Sequence, residues 1–213
     1  HADGTPDDLM RSADKHFRPA DPQIGPDGAL WFGDWANALI GHMQYSQRDP
    51  NRDHTRGRIY RLVYPDRPLV EPATQFGKTV SEILEQLREY EWRTRYRARR
   101  ELHDRITADV LPAVAAWIDG LKADDPEFDR LRTEALWIQQ AHHKIDPELL
   151  ASVLRAPSSD ARAAAIRIVS DERESIADAQ SILIAAAKDE HPRVRTEAAR
   201  GLSFFDNMEA ATA

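Results

Sequence analysis

Two hydrophobic periods divide this chain. Before residue 65 the apolar residues gather in three short runs: Pro22-Gln23-Ile24, Ala29-Leu30-Trp31-Phe32-Gly33-Asp34-Trp35 and Gly57-Arg58-Ile59-Tyr60-Arg61-Leu62-Val63-Tyr64. Aromatic and β-branched residues in runs of this length fit strands. Between the first two runs, Gly25-Pro26-Asp27-Gly28 supplies a fixed φ from Pro and a positive φ from Gly, which predicts a hairpin. About three strands can neither close their edges nor cover both faces, so the sheet is expected to be incomplete and to need further strands.

Beyond Lys78 the period changes. Pro and Gly give way to Ala, Leu, Arg and Glu at helical spacing, with Pro65 to Gly77 reading as a linker. The expected organisation is therefore 1–77 and 78–213. Arg-x-x-Ala recurs at Arg95/Ala98, Arg132/Ala135, Arg162/Ala165 and Arg195/Ala198, at intervals of 37, 30 and 33 residues. A shorter apolar helix is predicted before each match, at Ile83-Leu84-Leu87, Val110 to Ile118, Leu149 to Leu154 and Ile182 to Ala186. The repeating element is thus a helix pair, about four times over. Pro192 suits a first helical position, with Val194, Ala198 and Leu202 forming an inward stripe. In this phase the region from about Val80 to Phe205 resembles HEAT-like repeats, whose stacked pairs share one continuous core. Small Ala at the repeated site lets neighbouring helices approach closely. The repeated Arg is expected to pack its stem against the next repeat and to pair with an acid or carbonyl. The fold class is therefore mainly α with a small antiparallel β part.

Composition removes several chemistries. The 213 residues include no Cys, which excludes disulfides, thiolate metal sites, a Cys nucleophile and Cys-x-x-Cys-His haem attachment within this sequence. No run approaches the length of a membrane span. The sequence starts at His1 with no apolar signal segment, so any targeting sequence is expected upstream. A formal charge of −7 weighs against a general phosphate-binding surface. Arg93-Thr94-Arg95-Tyr96-Arg97-Ala98-Arg99-Arg100 spreads its cations around a helix near Glu82, Glu85, Glu89, Glu91 and Glu101, and reads as a solvated, salt-bridged face. Nucleic acid is not expected as a partner.

The concentrated polar chemistry lies between the second and third strands, from Gly41 to Gly57. His42, Arg48, Asp49, Arg52, Asp53 and His54 are the candidate binding-loop residues, because loops on a rigid scaffold often carry function. Two readings stay open. Arg48, Asp49, Arg52 and Asp53 can hold the loop through ion pairs and turn hydrogen bonds, or His42, Arg48, Arg52 and His54 can touch a cofactor or substrate. Asp49-x-Asn51-x-Asp53 has the spacing that opens many calcium loops, but His54 and Tyr60 stand where an EF-hand needs Gly and Glu, which leaves open only a different calcium geometry. His42 and His54 lack further ligands for zinc. No metal site and no catalytic residue is assigned. His142 and His143 read as an ordinary inter-repeat turn.

Phe17-Arg18-Pro19-Ala20-Asp21, Gly25 to Leu30, Asp34-Trp35, Gly41-His42-Met43-Gln44-Tyr45, Arg48-Asp49-Pro50, Asp53-His54-Thr55 and Gly57 to Arg61 together resemble the end of a sugar or sorbosone dehydrogenase-like β-propeller. The order of parts resembles large planctomycete-type proteins in which this propeller precedes HEAT-like repeats and a haem-binding cytochrome c domain. The resemblance implies that the sheet is the last blade of a six-bladed propeller in a secreted or periplasmic oxidoreductase. It implies a parent that holds pyrroloquinoline quinone with calcium and passes electrons to haem c, with no cofactor inside this chain. The implied partners are the remaining blades and the cytochrome c-like domain; the alternative reading is a non-enzymatic interaction module, in which a degenerate blade anchors a HEAT scaffold that binds a protein partner on the solenoid. His42 and His54 do not align with the family's catalytic base.

Overall fold

The computed structural model describes residues 8–37, 49–50 and 55–212. The chain forms two compact units, residues 1–73 and 74–213. It is mainly α, with one small antiparallel sheet.

The sheet has three strands in the order β1 (Pro19–Ile24), β2 (Leu30–Asp34) and β3 (Arg58–Leu62). β1 begins earlier than the apolar run at Pro22, and its register with β2 shifts between Ala20 and Gln23. Asp21, inside that shift, has φ 49°, a left-handed conformation that short polar side chains tolerate better than most. Gly28 completes the β1–β2 hairpin at φ 78°. Gly25 is required for a different reason, because a Cβ there would come within 2.3 Å of Trp31 Nε1.

Cross-strand partners put Leu30 with Leu62, Phe32 with Tyr60 and Asp34 with Arg58 on one face. Phe32 stacks on Tyr60 at 5.2 Å, and Phe17 meets both rings edge-on. On the other face, Gly33 pairs with Ile59 and Trp31 with Arg61. Ile59 is 78% exposed. Among the described residues, β1 and β3 each pair only with β2.

The second unit consists of helix pairs: α1 (Val80–Glu85, continued by a 3₁₀ turn at Gln86–Arg88) with α2 (Trp92–Asp104), α3 (Thr107–Asp119) with α4 (Phe128–Ala141), α5 (Pro147–Leu154) with α6 (Ser159–Asp171), and α7 (Ala179–Ala186) with α8 (Pro192–Leu202). A short α9 (Met208–Ala211) follows. Local signals explain the starts. Thr79 and Glu82 form a capping box on α1, Glu91, Asp146 and Ser158 cap α2, α5 and α6, and Pro147 and Pro192 open α5 and α8. Each second helix packs on the next, α2 on α4, α4 on α6 and α6 on α8.

One apolar core runs through the stack, from Ile83 and Leu84 to Leu202 and Ala210. Ala98, Ala135, Ala165 and Ala198 are all fully buried within it. The repeated small residue therefore sits where helices meet, and a longer side chain there would meet a packed neighbour.

The repeated Arg is equally regular. Arg95 Nη1 donates to the carbonyls of Glu89 and Tyr90, Arg162 Nη1 to those of Ala156 and Pro157, and Arg195 Nη1 to those of Asp189 and Glu190. In each case the guanidinium reaches back to the turn that joins the two helices of its own pair. Arg162 also forms a bidentate pair with Asp189 of the next repeat, at 2.9 and 3.0 Å. Arg132 departs from the pattern: it pairs with Asp129 at 2.6 Å and lies over the Phe128 ring. Asp129 in turn accepts from the Ser158 N–H, so this Arg also reaches the next repeat, through its acid.

His142 and His143 diverge at the end of α4. His142 bridges Thr107 Oγ1 through Nδ1 and the Leu102 carbonyl through Nε2. Since a carbonyl only accepts, the contact to Leu102 is donated by the His142 Nε2–H. His143, exposed and at φ 53°, lies 3.5 Å from Glu172.

Candidate functional site

The candidate loop leaves the sheet at the end of β2 and returns at the start of β3. Of its six candidate residues, His42, Arg48, Arg52, Asp53 and His54 lie outside the described residues, and Asp49 is half-buried. What the structure describes is the root of the loop, where Asp34 closes β2 and Arg58 opens β3.

Asp34 is the anchor. Its side chain is fully buried, and Oδ1 accepts from the Arg18 N–H at 2.7 Å and the Ala36 N–H at 2.9 Å. Arg58 Nη2 lies 2.8 Å from Asp34 Oδ2 and forms an ion pair with it. Arg58 Nη1 donates to Asp14 Oδ2 at 2.5 Å, and the other Asp14 oxygen accepts from the His16 N–H at 2.8 Å. Burial alone would raise the Asp34 carboxyl, but the two backbone donors and the Arg58 charge outweigh it and hold it below the ordinary value. The hydrogen bond from Arg58 holds Asp14 low and, reciprocally, raises Arg58 itself. Two carboxylates and one guanidinium so arranged stay ionised through the neutral range. Their chemistry is that of a fixed clamp rather than of an acid or base.

An open concavity of about 490 Å³ adjoins this clamp, lined by Asp14, His16, Ala36, Thr55, Arg56 and Arg58. His16 is exposed there. At the opposite end of the sheet a second network rigidifies the hairpin. Asp27 accepts from the Trp31 indole N–H at 3.0 Å and the Ala29 N–H at 3.1 Å, and pairs with Arg61 at 2.6 Å. The indole hydrogen bond is the main cause holding the Asp27 carboxyl low. Arg61 also lies over the Trp31 ring at 5.4 Å.

Neither the Asp34–Arg58 clamp nor the Asp27–Trp31–Arg61 network is among the candidate binding residues read from the sequence, although Asp27, Asp34, Arg58 and Arg61 lie in the segments that carry the resemblance. The available signal was the cross-strand pairing itself, since Asp34 and Arg58 oppose each other once the register of the polar excursion is known. Among the described residues no three His, Asp or Glu side chains converge as a metal site requires. No described helix is long and apolar enough to cross a membrane.

Comparison with known families falls on both units. Residues 1–66 match a family model described as a domain of unknown function (DUF7133). Residues 147–213 match HEAT repeats. No curated protein and no solved structure matches the chain. The matched helices α5 to α9 form a HEAT repeat region, and α1 to α4 carry the same buried Ala and the same phase of paired helices.

Proposed function

We propose that this chain is part of a secreted or periplasmic propeller-type sugar or aldose dehydrogenase-like oxidoreductase, in which the sheet is a propeller blade and the HEAT region is a scaffold toward a haem domain. The supporting observation is the open sheet. A meander in which, among the described residues, β1 and β3 pair on one side only, with Ile59 exposed, is a building block that neighbouring strands would complete. The resemblance of residues 17–64 to sorbosone dehydrogenase-like sequences supplies the kind of neighbour. In that setting the Asp34–Arg58 clamp fixes both roots of the polar loop, so His42, Arg48, Asp49, Arg52, Asp53 and His54 would be presented from a rigid base.

Pyrroloquinoline quinone with calcium would belong to the complete propeller and haem c to a following domain; neither is assigned a site among these residues. By itself the chain is expected to be inactive. The test is the complete reading frame: five preceding blade-like segments and a downstream Cys-x-x-Cys-His support the proposal, and their absence removes it. If they are present, deleting Ile40 to Thr55 from the intact parent is expected to reduce cofactor retention. A second reading, a non-enzymatic protein-interaction module, draws on Arg100 and Arg167 of the solenoid, which are exposed and, among the described residues, have no acid within ion-pair distance.

A further inference from the structure

We propose that the face formed by α2, α4 and α6 is a docking surface for an acidic segment of a partner protein, with Arg100 and Arg167 as its carboxylate receptors and Trp137 between them. This goes beyond the propeller reading and does not depend on it.

Trp137 lines two concavities. One, of about 330 Å³, also takes in Tyr96, Arg99, Arg100 and His103; the other, of about 380 Å³, takes in Arg130, Thr133, Ala164, Arg167 and Arg193. The shared indole makes them one track across successive helices. Its floor stays low because α6 presents Ala163 and Ala164.

The charges on this track are unequal. Glu134, buried beneath it, is paired with Arg99 at 3.1 Å and Arg130 at 3.7 Å. Asp160 is paired with Arg193 at 2.7 Å, and Glu197 with Arg200 at 3.6 Å. Every carboxylate on the track thus has its own guanidinium. Arg100 and Arg167 are exposed, and among the described residues neither has an acid within ion-pair distance. On a protein of formal charge −7, these two are a local surplus of the opposite sign.

That surplus defines the occupant. An unpaired guanidinium offers planar, bidentate recognition of a carboxylate. Two of them flanking an indole fit an extended acidic segment with an apolar side chain between its carboxylates, and the Trp137 indole N–H, unbonded within the described chain, is a donor for a peptide carbonyl. A phosphate backbone fits less well, because only two uncompensated cations are available here to release its counterions.

The test uses the intact chain and fluorescence anisotropy with three labelled probes: a short peptide of Glu and Asp around a central Leu, its Gln and Asn counterpart, and a single-stranded oligonucleotide of matching charge. The acidic peptide is expected to bind at least about tenfold more tightly than the amide peptide. The double variant Arg100→Glu/Arg167→Glu is expected to abolish that preference, and the milder Arg100→Gln/Arg167→Gln to weaken it, with helicity unchanged. Arg155→Glu/Lys188→Glu changes the net charge equally at exposed sites off the track and is expected to leave binding near wild type. Absence of acidic-peptide binding, equal losses in the two charge-reversal doubles, or tighter binding of the oligonucleotide would each overturn the proposal.

Discussion

In the helical unit Leu84, Leu102, Leu131, Leu136 and Leu183 are fully buried by neighbouring repeats, whereas in the sheet unit the buried apolar residues described are Ala29, Phe32 and Ala36. Ile59 and Trp35 of the sheet unit remain 78% and 54% exposed. The difference does not come from apolar content, since β2 alone contributes Leu, Trp and Phe. It comes from supply of partners: each helix pair is covered by the next, while among the described residues nothing covers Ile59 on the second face of the sheet.

The comparison can be broken most directly in the core. Leu136→Ala is expected to destabilise the helices by about 2–5 kcal/mol, read as a lower urea midpoint by far-UV circular dichroism. Phe32→Ala, which empties the small aromatic cluster of the sheet, is expected to leave that midpoint unchanged. Equal shifts would mean that the two units unfold together.

A smaller effect is expected at the repeat junction. Arg162→Ala removes the bidentate partner of Asp189 and the donor to two turn carbonyls, at a cost of roughly 2 kcal/mol. Arg195→Ala removes the carbonyl donor alone, from a more exposed position. It is expected to lower the midpoint less. A reversed order would show that the cross-repeat ion pair contributes little.

The smallest expected effects are two pH dependences of opposite sign. Burial raises the Glu134 carboxyl despite Arg99 and Arg130, so the folded protein holds this proton more tightly than the unfolded chain. Its contribution therefore falls as pH rises from the ordinary value of 4.5 through the raised one. Glu82 is lowered to about 2, first by the Thr79 backbone N–H and then by Lys78 and the Thr79 hydroxyl. Its contribution is present above 4.5 and is lost as pH falls toward 2. Urea midpoints against pH are expected to lose the first slope in Glu134→Gln and the second in Glu82→Gln.

Sequence periodicity located all four helix pairs, because an apolar stripe every third or fourth residue requires a buried face and the recurring Arg-x-x-Ala fixed its phase. The hairpin was legible from Pro26 and Gly28, whose conformations are local properties. The start of β1 was not, since Pro19, Asp21 and the register shift carry no strand signature. The arginine run from Arg93 to Arg100 was resolved only by folding. Arg99 finds Glu134 on the next repeat and Arg95 finds turn carbonyls, while Arg100 has no acid partner among the described residues, and no pattern within one helix distinguishes these three. For the candidate site, the structure adds the clamp at the loop root and places Asp49 as half-buried; the other five residues lie outside what it describes.

The grip of Arg95, Arg162 and Arg195 falls on main-chain oxygens, which every amino acid possesses. The same hold is kept on Glu89-Tyr90, Ala156-Pro157 and Asp189-Glu190, three dipeptides with little in common. Apart from Asp189, whose carboxylate is itself held by Arg162, corners secured in this way can change their side chains without loosening, so this edge of the solenoid can diversify while its spacing stays constant.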